Sequence, residues 1–261
     1  MTAPIERRIK LTLHYDGSDF FGWQVQPGVR TVQSDLEAAL SRLADRPTSV
    51  VAAGRTDRGV HAMGQVASAL MPGKWTPRAL RRSLNAILPA DVWVANAEAV
   101  PPEFHARYDA VAREYVYRIG TEPVSSSPFH RRWCWPVQDR LDGDLLDAAA
   151  VRIRGDHSFR AFAKSGQPER GERSVVQRAD WQAWPDLGLE LRIRANRFLH
   201  HMVRYLVGTM VDIARGRRPL ADVDSLLADE EGLETSPPAP AEGLFLARVY
   251  YSNDEIERED T

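Results

Sequence analysis

The stretch Gly54-Arg55-Thr56-Asp57-Arg58-Gly59-Val60-His61 sets one carboxylate between two arginines in a short loop bounded by glycines. A carboxylate presented in this way can act as a nucleophile or as a general base, and nearby cations favour its ionised form. Val50–Ala53 leads in and His61–Ala67 leads out, both apolar, so the loop reads as strand, turn, strand. Glycines at both ends are expected to carry backbone angles that other residues resist. An ordinary hairpin closed by an Asx-turn has the same pattern, and the loop alone does not choose between the two.

Two other constellations bear on the choice. The run Asn196-Arg197-Phe198-Leu199-His200-His201-Met202-Val203-Arg204 reads as the opening of a helix over 198–214, with Phe198, Met202, Leu206, Thr209 and Ile213 as its apolar face. Adjacent histidines on a helix do not share a face, and no carboxylate stands at ligand spacing, so no metal site is expected there. Each histidine reads first as a hydrogen-bonded structural residue. Arg204, near the start of an apolar helix, needs a partner because an unpaired buried charge is expensive, and Asp57 is the candidate. In Arg113-Glu114-Tyr115-Val116-Tyr117-Arg118, the tyrosines share one strand face beside cations. That is either core and rim material or a stacking surface for an extruded base, and spacing leaves both open.

The elements that must position these residues follow from periodicity. Ile9, Leu11, Leu13 and Tyr15 alternate as a strand, Thr31 caps a helix through Leu43, and Thr76-Pro77 opens another carrying Leu80, Leu84, Ile87 and Leu88. Val92-Trp93-Val94 starts a further strand, so residues 1–103 read as strand, helix, strand, strand, helix, strand. In 104–252, strands are expected at Tyr115–Ile119, Trp133–Trp135, Val175–Val176, Leu189–Ile193 and Leu244–Tyr251, with a helix over 145–153. Residues 253–261 form an acidic tail. The expected class is α/β, with helices on a largely antiparallel sheet.

Composition narrows the function. No apolar run approaches the roughly 20 residues that span a membrane, and Met1–Lys10 lacks the apolar segment of a secretory signal. The single cysteine, Cys134, excludes an internal disulfide and thiolate-rich metal sites. A cytoplasmic address is expected. Net charge is −2, yet the cations are 31 arginines and three lysines, and arginine suits phosphate contact and base stacking. Arg78, Arg81 and Arg82 are candidate phosphate contacts, or simply the solvated face of their helix. No phosphate-binding or dinucleotide glycine motif is present. A sugar hydrolase or aspartyl phosphatase would want a second carboxylate or a metal beside Asp57; a catalytically silent RNA-binding protein would have no use for Asp57, Tyr115 and Arg204 together.

GRTDRGVHAMGQV (54–66) resembles the signature of the tRNA pseudouridine synthase A family, the tRNA pseudouridine(38–40) synthases. Similar too are YDGSDFFGWQVQPGVRTVQSDLEAAL (15–40), FHARYDAVAREYVYRI (104–119), ANRFLHHMVRYLVGTMVDIARGR (195–217) and APAEGLFLARVYY (239–251). The resemblance implies two RNA-recognition-like halves sharing a sheet with a central cleft, and conversion of uridine to pseudouridine at positions 38, 39 and 40 in the anticodon stem-loop of tRNA. It implies a homodimer and no cofactor or metal. Asp57 would be the essential carboxylate, attacking C1′, attacking the uracil ring or removing the 2′ proton. Tyr115 would stack on the flipped uracil, Arg204 would pair with Asp57, and Arg55 would assist entry of the nucleotide or contact its phosphate. Arg58, His61, Arg78, Arg81, Arg82 and His201 are the further candidate contacts to the RNA.

Overall fold

A computed structural model describes residues 6–164 and 171–259; the last two residues of the acidic tail and the first five of the chain lie outside the described residues. The chain forms two compact units, Met1–Val111 with Leu246–Thr261, and Ala112–Phe245.

The first unit contains β1 (Glu6–Tyr15), α1 (Val32–Ala44), β2 (Val50–Ala52), β3 (His61–Pro72), α2 (Pro77–Ile87) and β4 (Val92–Ala99), to which the chain returns with β10 (Leu244–Tyr250) and α6 (Asn253–Glu259). The strand order is β4-β1-β3-β10, with β2 also on β3. Ile9, Leu11 and Leu13 are fully buried, as strict alternation along β1 requires. β1 runs antiparallel to both neighbours, pairing Leu11 with Ala67 and with Ala97. α1 begins at Thr31, whose hydroxyl accepts from the Ser34 amide in a reciprocal capping box. α2 begins at Thr76 with Pro77 in its first turn. As the edge strand, β4 has backbone groups without a strand partner, and α2 satisfies some of them: the Asn85 side chain bonds both the amide and the carbonyl of Val94, and Arg81 donates to the Ala95 carbonyl at 3.0 Å.

The second unit holds β5 (Ala112–Gly120), β6 (Trp135–Pro136), α3 (Gly143–Arg152), β7 (Gly155–Ser158), β8 (Arg173–Trp184), β9 (Gly188–Ala195), α4 (Met202–Ala214) and α5 (Asp222–Leu227). Its strands run β5-β9-β8-β7, antiparallel throughout, with β6 parallel on β5. α3 packs against β8 and α4. The mixed α/β class with mostly antiparallel strands agrees with the sequence reading.

Three expectations need correction. The strand at Val175–Val176 extends over Arg173–Trp184; Arg178 and Asp180 interrupt its apolar pattern and are themselves ion-paired, Asp180 also with Arg154. Trp133 lies in a short 3-10 turn and only Trp135-Pro136 pair as strand. The helix expected from Phe198 starts at Met202. His201 holds φ at 64°, in the left-handed region where an α-helix cannot continue, and the Asn196 side chain ties the preceding segment to β8 by accepting from the Val175 amide at 2.9 Å.

Gly64 on β3 faces β10 so closely that a Cβ would sit 2.2 Å from the Ala247 carbonyl oxygen. Gly64→Ala is therefore expected to lower stability by about 2–3 kcal/mol, roughly 5–10 °C in Tm, because backbone and not a flexible side chain must move. Thermal unfolding followed by circular dichroism checks it; an unchanged Tm contradicts this packing.

Candidate active site

The Asp57 turn joins β2 to β3 and is tied to its own unit on several sides. The Ala53 amide donates to the Val66 carbonyl at 2.8 Å, and the Val60 amide closes the turn on the Asp57 carbonyl at 3.1 Å. The Thr56 hydroxyl meets the Tyr15 hydroxyl at 2.7 Å in the core, while the Thr56 carbonyl accepts from the Trp23 amide at 3.0 Å. Gln65 donates to the Gly54 carbonyl at 2.8 Å. Burial pushes the Tyr15 phenol far up, so it stays neutral and serves as a hydrogen-bonding post.

Two glycines outside the turn let the Tyr15–Trp23 segment reach it. A Cβ on Gly17 would lie 2.0 Å from the Val60 carbonyl oxygen, and one on Gly22, whose φ is +86°, would lie 2.7 Å from that of Thr56. Within the turn only Gly59 takes a positive φ, 78°. Gly54 does not, and a side chain there would meet nothing within 4 Å. The expectation that both bounding glycines are conformationally required holds for Gly59 alone.

Asp57 is left half-buried at the tip, with Arg55 and Arg58 exposed beside it in sequence. The Arg58 guanidinium lies over the Phe21 ring, 4.1 Å from its centroid. His61 is 1 % exposed and belongs to the brace: its Nδ1 is 3.0 Å from the Gly17 amide and 3.2 Å from Asp16 Oδ1. One ring nitrogen cannot accept from the amide and donate to the carboxylate together. The amide hydrogen is fixed by the backbone, so Nδ1 is the acceptor. Ser18 then holds the Asp16 carboxylate, through its hydroxyl at 2.6 Å and its amide at 3.0 Å. Burial alone would raise the Asp16 carboxyl, but the Ser18 hydroxyl and amide, both donating to it, outweigh burial and keep it below the usual carboxylate range.

In the second unit, Tyr115 on β5 is largely buried, 9 % exposed, with its ring edge-on to Phe198 at 4.9 Å. Tyr117 is fully buried, and its hydroxyl donates to the Pro240 carbonyl at 2.8 Å; burial raises its phenol well above the ordinary value. Spacing did not separate the two tyrosines; in the structure the Tyr117 hydroxyl is committed to the fold. Arg204 lies in the first turn of α4 and donates from Nε to the Ala239 carbonyl at 2.6 Å, while the Ala239 amide donates to the Arg204 carbonyl at 2.9 Å. The loop Pro237–Pro240 is thus clamped to α4. His200 and His201, ahead of the helix, have ring centroids 4.2 Å apart, so the helix-face argument against a metal does not apply to them.

Several further arginines are used internally. Arg192 bridges Glu114 and Glu190, both at 3.3 Å, Arg118 meets Glu190 at 3.3 Å, and Arg194 is 3 % exposed. Arg113 donates to the Asn196 carbonyl at 3.1 Å. On α2, Arg78, Arg81 and Arg82 are exposed, with Arg81 bonded to Ala95 as described. Sequence reading missed the brace residues Tyr15, Gly17, Gly22, Thr56 and Gln65. Their signal was the paired glycines in Tyr15–Trp23, a block quoted for its resemblance but given no mechanical role.

A carboxylate on a rigid turn has the form that acid–base or nucleophilic chemistry uses. A family model described as tRNA pseudouridine synthase matches residues 12–109 and 149–252. The chain is 42% identical over 246 residues to the tRNA pseudouridine synthase A of Moorella thermoacetica, covering 93% of this chain and 99% of that one. It is 37% identical to the protein of the same name from Bacillus pumilus, covering 94% of this chain and 100% of the relative. With its counterpart in Paraburkholderia xenovorans the identity is 40%, over 94% and 90% of the two chains. The chain belongs to the tRNA pseudouridine synthase family, a family of isomerases.

Tyr117→Phe should cost about 1–3 kcal/mol of stability, because it leaves the Pro240 carbonyl without its buried donor. Denaturant unfolding of the variant measures the loss; a wild-type midpoint contradicts the assignment of that hydroxyl to the fold.

Proposed function

We propose that this chain converts uridine to pseudouridine in the anticodon arm of tRNA, with Asp57 as its essential carboxylate and without cofactor or metal. The observation that carries the reading is Asp57 itself, left half-buried at the tip of a turn whose neighbours Thr56, Gly54 and Val60 are all fixed by hydrogen bonds. A rigid mount of this kind suits a group that must meet a reacting atom within a fraction of an ångström.

The reaction breaks the bond from C1′ to N1, turns the uracil, joins C5 to C1′ and releases the C5 proton while N1 gains one. Atoms and electrons balance within the nucleotide, so no oxidant, reductant or activated co-substrate is needed. Extruding the base costs a few kcal/mol, least in a loop, which favours a target in or beside the anticodon loop. Tyr115, on β5, stacks on the extruded uracil and its hydroxyl assists removal of the C5 proton. In the working complex Arg204 turns a free guanidinium edge to Asp57 while Nε stays on Ala239. Arg55 meets the incoming nucleotide, and Arg58 and His201 contact the RNA beside it. The burial of His61 supports a bracing role in place of direct contact. The working species is a homodimer, which sedimentation of the purified protein tests.

Asp57→Asn should lower isomerisation by about 10³-fold or more while tRNA affinity stays within a few-fold, since affinity comes from distributed phosphate contacts. Uridine-bearing tRNA transcripts, with pseudouridine mapped by chemical sequencing, give the readout. Appreciable turnover by the purified variant, or modification outside the anticodon arm, overturns the proposal. Tyr115→Phe keeps the ring and should lower turnover by about 10²-fold without weakening tRNA binding, as loss of a proton-transfer group does. Full turnover would limit Tyr115 to stacking.

A further inference from the structure

α2 and β4 enclose a concave space of about 690 Å³ lined by Thr76, Arg78, Arg81, Arg82, Asn85 and Trp93. This is large enough for a nucleotide, being within the range of about 300–1,000 Å³ typical of ligand sites. Trp93 is 49 % exposed although Val92 and Val94 on either side of it are buried. Its indole stands on the outward face of β4, where strand pairing sets it opposite His14, and the two rings meet edge to face at 5.2 Å. His14 thus buttresses one side of the indole. About half of this large flat ring remains open to solvent.

The charge beside it is uncompensated. α2 contains three arginines and no acid. Arg81 is partly spent on the Ala95 carbonyl, but among the described residues Arg78 and Arg82 form no ion pair. The acids flanking this surface are engaged elsewhere, Asp91 with Arg30 at 2.7 Å and Glu98 with Lys10 at 3.0 Å. Two free guanidinium groups beside an exposed indole match a phosphate and an unpaired base together, a pairing that an acidic protein surface does not offer.

We infer that Trp93, with Arg78 and Arg82, forms a second RNA-contact site on α2 and β4, which stacks one unpaired nucleotide of the tRNA and neutralises its flanking phosphates. The inference rests on the reading of this protein as a tRNA-modifying enzyme. The site is separate from the Asp57 turn, which is carried by β2 and β3, and it contributes grip and not chemistry.

Trp93→Ala is expected to weaken tRNA binding about 5- to 100-fold, the loss of one stacked base, with the effect falling on KM and not on kcat. Trp93→Phe should recover most of that affinity. The double variant Arg78→Ser/Arg82→Ser should make the fall of log affinity with log salt less steep by about one to two, a change that a merely structural role would not produce. The measurements are tRNA titrations at several salt concentrations and steady-state kinetics on full tRNA, with Tm recorded for each variant. Wild-type affinity in Trp93→Ala, an unaltered salt slope in the arginine variant, or a loss appearing only in kcat would overturn the inference and leave the proposed activity standing. A wild-type protein that neither binds nor modifies tRNA would remove both.

Discussion

The hydrogen bond between the Tyr15 and Thr56 hydroxyls lies in the core of the first unit at 2.7 Å, and the placement of Asp57 depends on it. A turn of this length has few side chains of its own to pack, and its backbone groups would otherwise be free to exchange partners with water. Here the end of β1 supplies the missing structure. Tyr15 fixes Thr56 from below, Trp23 fixes its carbonyl, and Gly17 and Gly22 permit backbone to meet backbone where a Cβ would collide. Phe20 and Trp23, both 2 % exposed or less, bury that segment so that the brace itself cannot swing. The result is one half-exposed carboxylate on an otherwise immobilised turn. Asp16, kept anionic by Ser18, adds a pH dependence: its folded acidity is stronger than its unfolded value, so its contribution is complete above that value and fades as pH falls toward the folded one.

The second unit shows a different constraint. Glu114 on β5 and Glu190 on β9 are nearly inaccessible, and a carboxylate cannot be left there alone. Arg118, Arg192 and Arg194 answer them across the paired strands. Such a ladder adds little net stability over apolar packing, but removing any one member strands a buried charge, so it fixes the register of β5 against β9. That register sets Tyr115 opposite Ile193 and Tyr117 opposite Leu191, with both rings on one face of the sheet.

Much of this was legible in the sequence where one local rule governed the outcome. The alternation of β1 and the Thr31 and Thr76 caps each follow from a few neighbouring residues, and the structure has them. The carboxylate turn was legible for the same reason. Where tertiary contact decided, the sequence was silent or misleading. β8 hides behind Arg178 and Asp180, which pair with each other along the strand while Asp180 also meets Arg154 from the segment before β7. The start of α4 was drawn four residues early because Phe198 continues the apolar spacing, whereas the His201 backbone and the Asn196 side chain end the extended segment. The commitment of the Tyr117 hydroxyl to the fold rests on Pro240, more than a hundred residues away. No periodicity could carry that.

The arginine content illustrates why counting charges is a poor guide to a binding surface. With a net charge of −2 the chain has no global attraction for a polyanion, and much of its cationic complement is already neutralised within the fold. Arg152 pairs with Asp224, Arg160 with Asp229 and Arg218 with Asp222, so three acids of the run after residue 220 are matched by structural arginines. What matters to a phosphate is the local field, which extends only about 10 Å at ordinary salt. On that length scale a helix carrying three arginines and no acid is strongly basic whatever the total. A near-neutral protein can therefore hold a polyanion through a few uncompensated positions, and near-neutrality elsewhere limits indiscriminate binding to other nucleic acids.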